Sequence, residues 1–140
     1  MAPANSERKG PFKCVAARDI NAATGRDFAA QDAGIGCLYR QDGKASGGQV
    51  VHIVVMHPPY SAGTEQETLP GYRRDLQEIT TVRDADGLGP EAFIAGDDIM
   101  CAAWAMAPDG LPMMVQVQHM AGSSATVCAI AEKTAALLRR

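Results

Sequence analysis

The sequence predicts an α+β domain, an antiparallel sheet with helices packed mainly on one face and stapled by disulfides. Three observations carry this. The segments run helix, two strands, helix, several strands, helix, which segregates strands from helices instead of alternating them one by one. The strand-like runs are separated by turn residues and alternate in polarity or are β-branched. Four cysteines, at 14, 37, 101 and 128, are spread along the chain with no C-x-x-C spacing. The chain of 140 residues fits one domain, and a domain of this size buries roughly 68–70% of its unfolded surface.

Residues 1–10, within "MAPANSERKGPFK", are polar and punctuated by proline and glycine. They read as a disordered tether, and 11–140 as the single α+β domain. "CVAARDINAATG", Cys14 to Gly25, reads as a short helix with Val15, Ile20 and the alanines on its apolar stripe and Gly25 as C-cap. "IGCLYRQ" alternates, with Ile35, Cys37 and Tyr39 on one face and Leu38 and Arg40 on the other. "QVVHIVVMH" is β-branched and apolar on both faces, so it should lie inside the sheet and pair with the preceding strand as a hairpin. Pro58-Pro59 ends it, since proline cannot serve the ladder.

"LPGYRRDLQEI" places Leu69, Tyr72, Leu76 and Ile79 near one helical face. Val82 closes a short strand, and Phe93-Ile94 lie in another. "IMCAAWAMA" and "LPMMVQVQHM" are strands joined by a turn at Pro108 to Gly110. Val115 and Val117 alternate there with Gln116 and Gln118, giving one dry and one wet face. "SSATVCAIAEKTAALLRR" is the closing helix, with Ser123 or Ser124 as N-cap. Its buried face is Val127, Ile130, Ala131, Thr134 and Leu138, and Arg139-Arg140 suit its negative end.

Composition excludes several function classes. Net charge is −3 and the basic residues form no stripe, so nucleic-acid binding has no electrostatic footprint. Aromatics are only 5%, which leaves single-strand stacking platforms equally unsupported. No apolar run approaches the ~20 residues that span a bilayer. The cysteine spacing fits neither a zinc knuckle nor a redox dithiol. Two structural disulfides explain it better. Of the three possible connectivities the neighbours in sequence, Cys14–Cys37 and Cys101–Cys128, are favoured, each closing a loop worth on the order of 3 kcal/mol. Oxidised cysteines imply an extracytoplasmic home, in the periplasm or cell envelope, reached by an export signal since removed.

"DGLGPEAF", Asp86 to Phe93, is the nearest thing to a glycine motif. A dinucleotide fingerprint needs G-x-G-x-x-G opening a helix, but here Pro90 and strand-forming Phe93-Ile94 follow, and the lysine of a phosphate loop is missing. A turn explains it: Gly87 or Gly89 takes a positive φ, Leu88 plugs into the core, and Pro90 fixes the exit. The same stretch carries a resemblance, together with Cys14, "ATG" ending at Gly25, "CLY" at Cys37 to Tyr39, and "AALL" at Ala135 to Leu138. With these motifs the chain resembles a family of small secreted lipoproteins of unknown function, mostly actinobacterial. Pro90 stands where that family has an acidic residue. The resemblance implies a secreted or envelope-anchored α+β domain, lipid-anchored upstream, and no catalytic residue.

The remaining side chains point away from catalysis. His52 and His57 are five apart in a strand and face opposite sides, and His119 ends a different strand, so no three-histidine metal site is expected. Ser61, Ser123 and Ser124 lack G-x-S-x-G. Asp97-Asp98 sit in a tight turn, and Glu65 and Glu67 in a loop, where carboxylates solvate the chain instead of facing each other across a cleft. No metal, cofactor or catalytic residue is therefore expected. Met100, Trp104 and Met106 share strand parity on the face opposite Cys101. A helix held by Cys101–Cys128 cannot cover them, and the other helices look short, so part of this stripe is expected to be accessible and to meet a partner. The functional expectation is a non-enzymatic, extracytoplasmic binding domain for an envelope protein or an apolar ligand, the soluble part of a lipoprotein. The alternative is a periplasmic immunity or enzyme-inhibitor protein.

Overall fold

The computed structural model describes residues 14–31, 36–41, 51–56, 68–97, 99–108, 112–119 and 125–139. The expected tether at 1–10, the hairpin loop after Gln41, the Pro58-Pro59 segment, the turn at 109–111 and the capping serines lie outside them. Among the described residues seven strands form one antiparallel sheet in the order β1-β2-β3-β7-β6-β5-β4. They are β1 (Ala29–Gln31), β2 (Cys37–Gln41), β3 (Val51–Met56), β4 (Val82–Asp84), β5 (Phe93–Gly96), β6 (Met100–Met106) and β7 (Pro112–His119). The helices are α1 (Ala17–Thr24), α2 (Leu69–Gln77) and α3 (Ala125–Leu138). Two meanders, β1 to β3 and β4 to β7, meet where β3 pairs with β7. To begin the second meander at the far edge, the chain must cross the sheet between β3 and β4, and α2 lies in that crossing.

Pleating assigns every strand residue to a face. On the first face Cys37, Val55, Val115, Ala103 and Ile94 line up across the register, as do Tyr39, Ile53, Val117 and Cys101 in the next row. α1 and α3 cover this face. Ile20 of α1 packs there, as do Val127, Ile130, Ala131, Ala135 and Leu138 of α3. Thr134 is buried as well, so the face expected from periodicity is the one that docks. α1 ends on Gly25, left-handed at φ 72°, whose N–H donates to the Asn21 carbonyl. The Asn21 side chain then accepts from the Phe28 N–H at 2.6 Å and donates to the Phe28 carbonyl at 3.1 Å, which turns the chain into β1.

Both disulfides belong to this first face. Cys14–Cys37 fastens the lead-in of α1 to β2 with a Cα separation of 5.8 Å, and Cys101–Cys128 fastens β6 to α3 at 5.1 Å. Beside the first bond, the Tyr39 hydroxyl donates to the Val15 carbonyl at 2.6 Å. At the far edge, Arg83 of β4 reaches Glu132 of α3 at 3.5 Å.

The "DGLG" stretch is a turn. Asp86–Leu88 form one turn of 3-10 helix, Leu88 is buried under α3, and Gly89 takes φ 108°. Gly87 has no positive φ, so the special conformation falls on the second glycine alone. A Cβ on Gly89 would also come within 2.7 Å of the Arg139 guanidinium. The helix expected through Ile79 ends earlier, at Gln77. Thr68 starts it by accepting from the Gly71 N–H at 3.2 Å, and the chain then leaves the helical path to enter β4. Ile79 is thereby carried off the apolar face and is 80% exposed.

Candidate functional site

The second face of the sheet carries the residues singled out for partner binding. Register builds it in rows. Met114, Trp104 and Phe93 form one; Leu38, Val54, Gln116, Ala102, Ala95 and Val82 form the next; Arg40, His52, Gln118 and Met100 form a third. α2 covers the end of this face made by β4, β5 and β6. Leu69, Tyr72 and Leu76 pack on Phe93, Ala95, Ala102, Trp104, Met114 and Val82.

Trp104 is the centre of that cluster. Phe93 stacks on it at 5.5 Å between ring centroids, inclined 11°, and Tyr72 tilts onto it at 5.0 Å. Arg73 lies over the Phe93 ring and pairs with Asp84, closing the edge. Trp104 is only 7% exposed, so the expectation that it is reachable by a partner is corrected: it is a core residue. The reason is scale. Three strands span only about 10 Å across, and a nine-residue helix is about 13 Å long, so α2 covers what the sequence suggested it was too short to cover. The indole Nε1 is enclosed without a hydrogen-bond partner. The flanking methionines behave differently: Met100 is 44% exposed and Met106 39%. They sit at opposite ends of β6.

Beyond α2 the same face is mixed. Leu38, Val54, Gln116 and Gln118 are half-buried and Arg40 is exposed. His52 is half-buried, with its Nε2 shielded and without a hydrogen-bond partner. His57, Ser61, Glu65, Glu67, Asp98, Ser123 and Ser124 lie outside the described residues. Among the described residues no three His, Cys, Asp or Glu side chains stand close enough to hold a metal ion, and no helix is long and apolar enough to cross a membrane.

Asp97 serves the β5–β6 turn. Its Oδ1 accepts from the Ile99 N–H at 2.9 Å and the Met100 N–H at 3.0 Å, and its own N–H donates to the Met100 carbonyl at 2.9 Å. The hydrogen bonds from Met100 and then Ile99 hold its carboxyl below the usual carboxylate range. Gly96 before it has φ 143°, and a Cβ there would strike the Met100 carbonyl oxygen at 2.3 Å. This turn pushes Ile99 outward, 62% exposed. Sequence reasoning missed Ile99 and Ile79 as surface features. Ile99 opens the run "IMCAAWAMA" read as a strand, where it shares parity with Cys101, Ala103 and Ala105; the strand begins instead at Met100, and the turn held by Asp97 leaves Ile99 outside.

Compared with known proteins, the chain matches no family model, and no curated protein or solved structure is significantly similar to it.

Proposed function

We propose that this chain is an extracytoplasmic binding domain of the cell envelope, non-enzymatic, held through the segment that precedes Cys14. The observation that carries the reading is the pair of disulfides. Bonds of this kind persist in oxidising compartments and are rare where thiols are kept reduced. Here they fix a helix lead-in and a whole helix to one face, and that bracing suits a rigid display of the rest of the surface. The resemblance to small secreted lipoproteins, carried by Cys14, Gly25, Cys37 to Tyr39 and Gly87 to Phe93, supports the same location and a lipid anchor upstream.

Fractionation of the cells that make the protein, with alkylation of thiols before lysis, tests this. The protein is expected in the envelope or periplasmic fraction with all four cysteines protected from alkylation. Recovery from the cytosol with alkylated thiols overturns it.

A further inference from the structure

We propose that the end of the sheet bearing Ile79, Ile99 and Met100 is a docking tip for a protein that presents an apolar pocket bordered by lysine or arginine side chains. Four large hydrophobic residues are well exposed among the described residues: Ile79, Ile99, Met100 and Met106. Three of them share one end. Val82 pairs with Ala95, and the Gly96 N–H donates to the Thr81 carbonyl at 3.1 Å, so the α2–β4 junction and the β5–β6 turn lie side by side. Met106 is at the other end of β6.

The tip is held in shape before anything binds. Asp97 ties down the backbone N–H groups of Ile99 and Met100, and the Gly96 approach closes the turn. A side chain carried on such a turn is presented with little further ordering to be done on association, and this favours affinity. Its electrostatics select the partner. In the described residues 74–81, 96–97 and 99–100 the exposed charges are Asp75, Glu78 and Asp97 against Arg74. The C-terminal end of α2 adds its partial negative charge at the same place. Apolar knobs in an acidic setting complement a basic rim around an apolar pocket.

Other occupants fit less well. A two-fold pair of these tips would bring carboxylates against carboxylates. A lipid surface also fits less well, because the carboxylates of Asp75, Glu78 and Asp97 repel anionic headgroups; the inference rests on the envelope location proposed above.

The test places p-benzoylphenylalanine at position 79 or 99 of the full chain, with position 106 as the exposed control, and irradiates the cells that make it. One protein is expected to crosslink at 79 and 99, at least fivefold more than at 106, through a peptide in which apolar residues are flanked by Lys or Arg. Ile99→Ser should lower the yield at 79 at least fivefold, and Glu78→Lys at least threefold, with the Tm of each within about 2 °C of the parent, as for surface changes. Adducts to lipid, adducts to a second copy of this chain, or labelling at 106 equal to that at the tip overturn the proposal. If the protein is in the envelope and crosslinks only elsewhere, the envelope-binding reading stands and the tip does not. A reduced, cytosolic protein overturns both.

Discussion

The two faces of one sheet are built by different means. The first is covered by α1 and α3, and a disulfide ties the sheet to each covering segment. Among the described residues the second is covered by α2, over β4 to β6, and is held by an aromatic cluster around Trp104 with no disulfide. α1 and the lead-in before it are short and poor in large apolar residues, so packing alone gives them little, and the crosslink compensates by constraining the unfolded chain. α2 instead places Leu69, Tyr72 and Leu76 on a tryptophan and a phenylalanine, whose burial is worth far more per residue. Bulk in the cluster and bonds at the staples are two ways to hold a small element on a sheet.

Breaking the staples should have the largest effect. Each disulfide is worth about 2–5 kcal/mol, against total stabilities of about 5–15 kcal/mol for single domains. Reduction and alkylation of both are expected to abolish cooperative urea unfolding at 25 °C, followed by near-ultraviolet circular dichroism. A reduced protein that still unfolds cooperatively with an unchanged midpoint would show that the first face does not need its bonds.

Breaking the cluster comes next. Trp104→Ala should cost about 3–5 kcal/mol, the range for large aromatic residues removed from cores, read as a lowered urea midpoint. Amides of α2 should also exchange with deuterium faster in this variant, with those of α3 less affected, because opening is local. A loss below about 1 kcal/mol would return Trp104 to the surface.

Legibility in the sequence divided along the same line. The staples could be read because each joins cysteines adjacent in order, and α3 because Val127, Ile130, Ala131, Thr134 and Leu138 repeat at helical spacing. Trp104 showed its strand parity but not its cover. What covers it depends on where the β3-to-β4 crossing runs, and that follows from β3 pairing with β7, a contact between residues some sixty apart. Ile79 continued an apolar pattern beyond the helix, and periodicity does not see where a chain turns to reach its next strand. Ile99 had the strand parity of Cys101, and its exposure comes instead from the geometry of one turn.

The smallest effect concerns the polar link beside the first staple. Tyr39→Phe removes the hydrogen bond to the Val15 carbonyl and should cost about 1 kcal/mol at neutral pH. Burial pushes the Tyr39 phenol above its usual range. The folded protein thus keeps a proton that the unfolded chain releases above about pH 10. Its contribution is full below that pH and is lost as pH rises toward the folded pKa. Urea midpoints measured across this alkaline range should fall in the parent and fall less in Tyr39→Phe. Equal slopes would mean that the phenol is solvated.

The Cys14–Cys37 bond also decides how the domain meets a pull. Tension applied through the chain before Cys14 passes across the sulfurs into β2 and bypasses α1 and β1, which hang in a closed loop that cannot lengthen. The Cys101–Cys128 bond does the same for β7, the strand that joins the two meanders. A stretched molecule would therefore extend the chain between Cys37 and Cys101 and the part of α3 after Cys128 while both closed loops carry no load, so the bonds act as mechanical shunts as well as folding restraints.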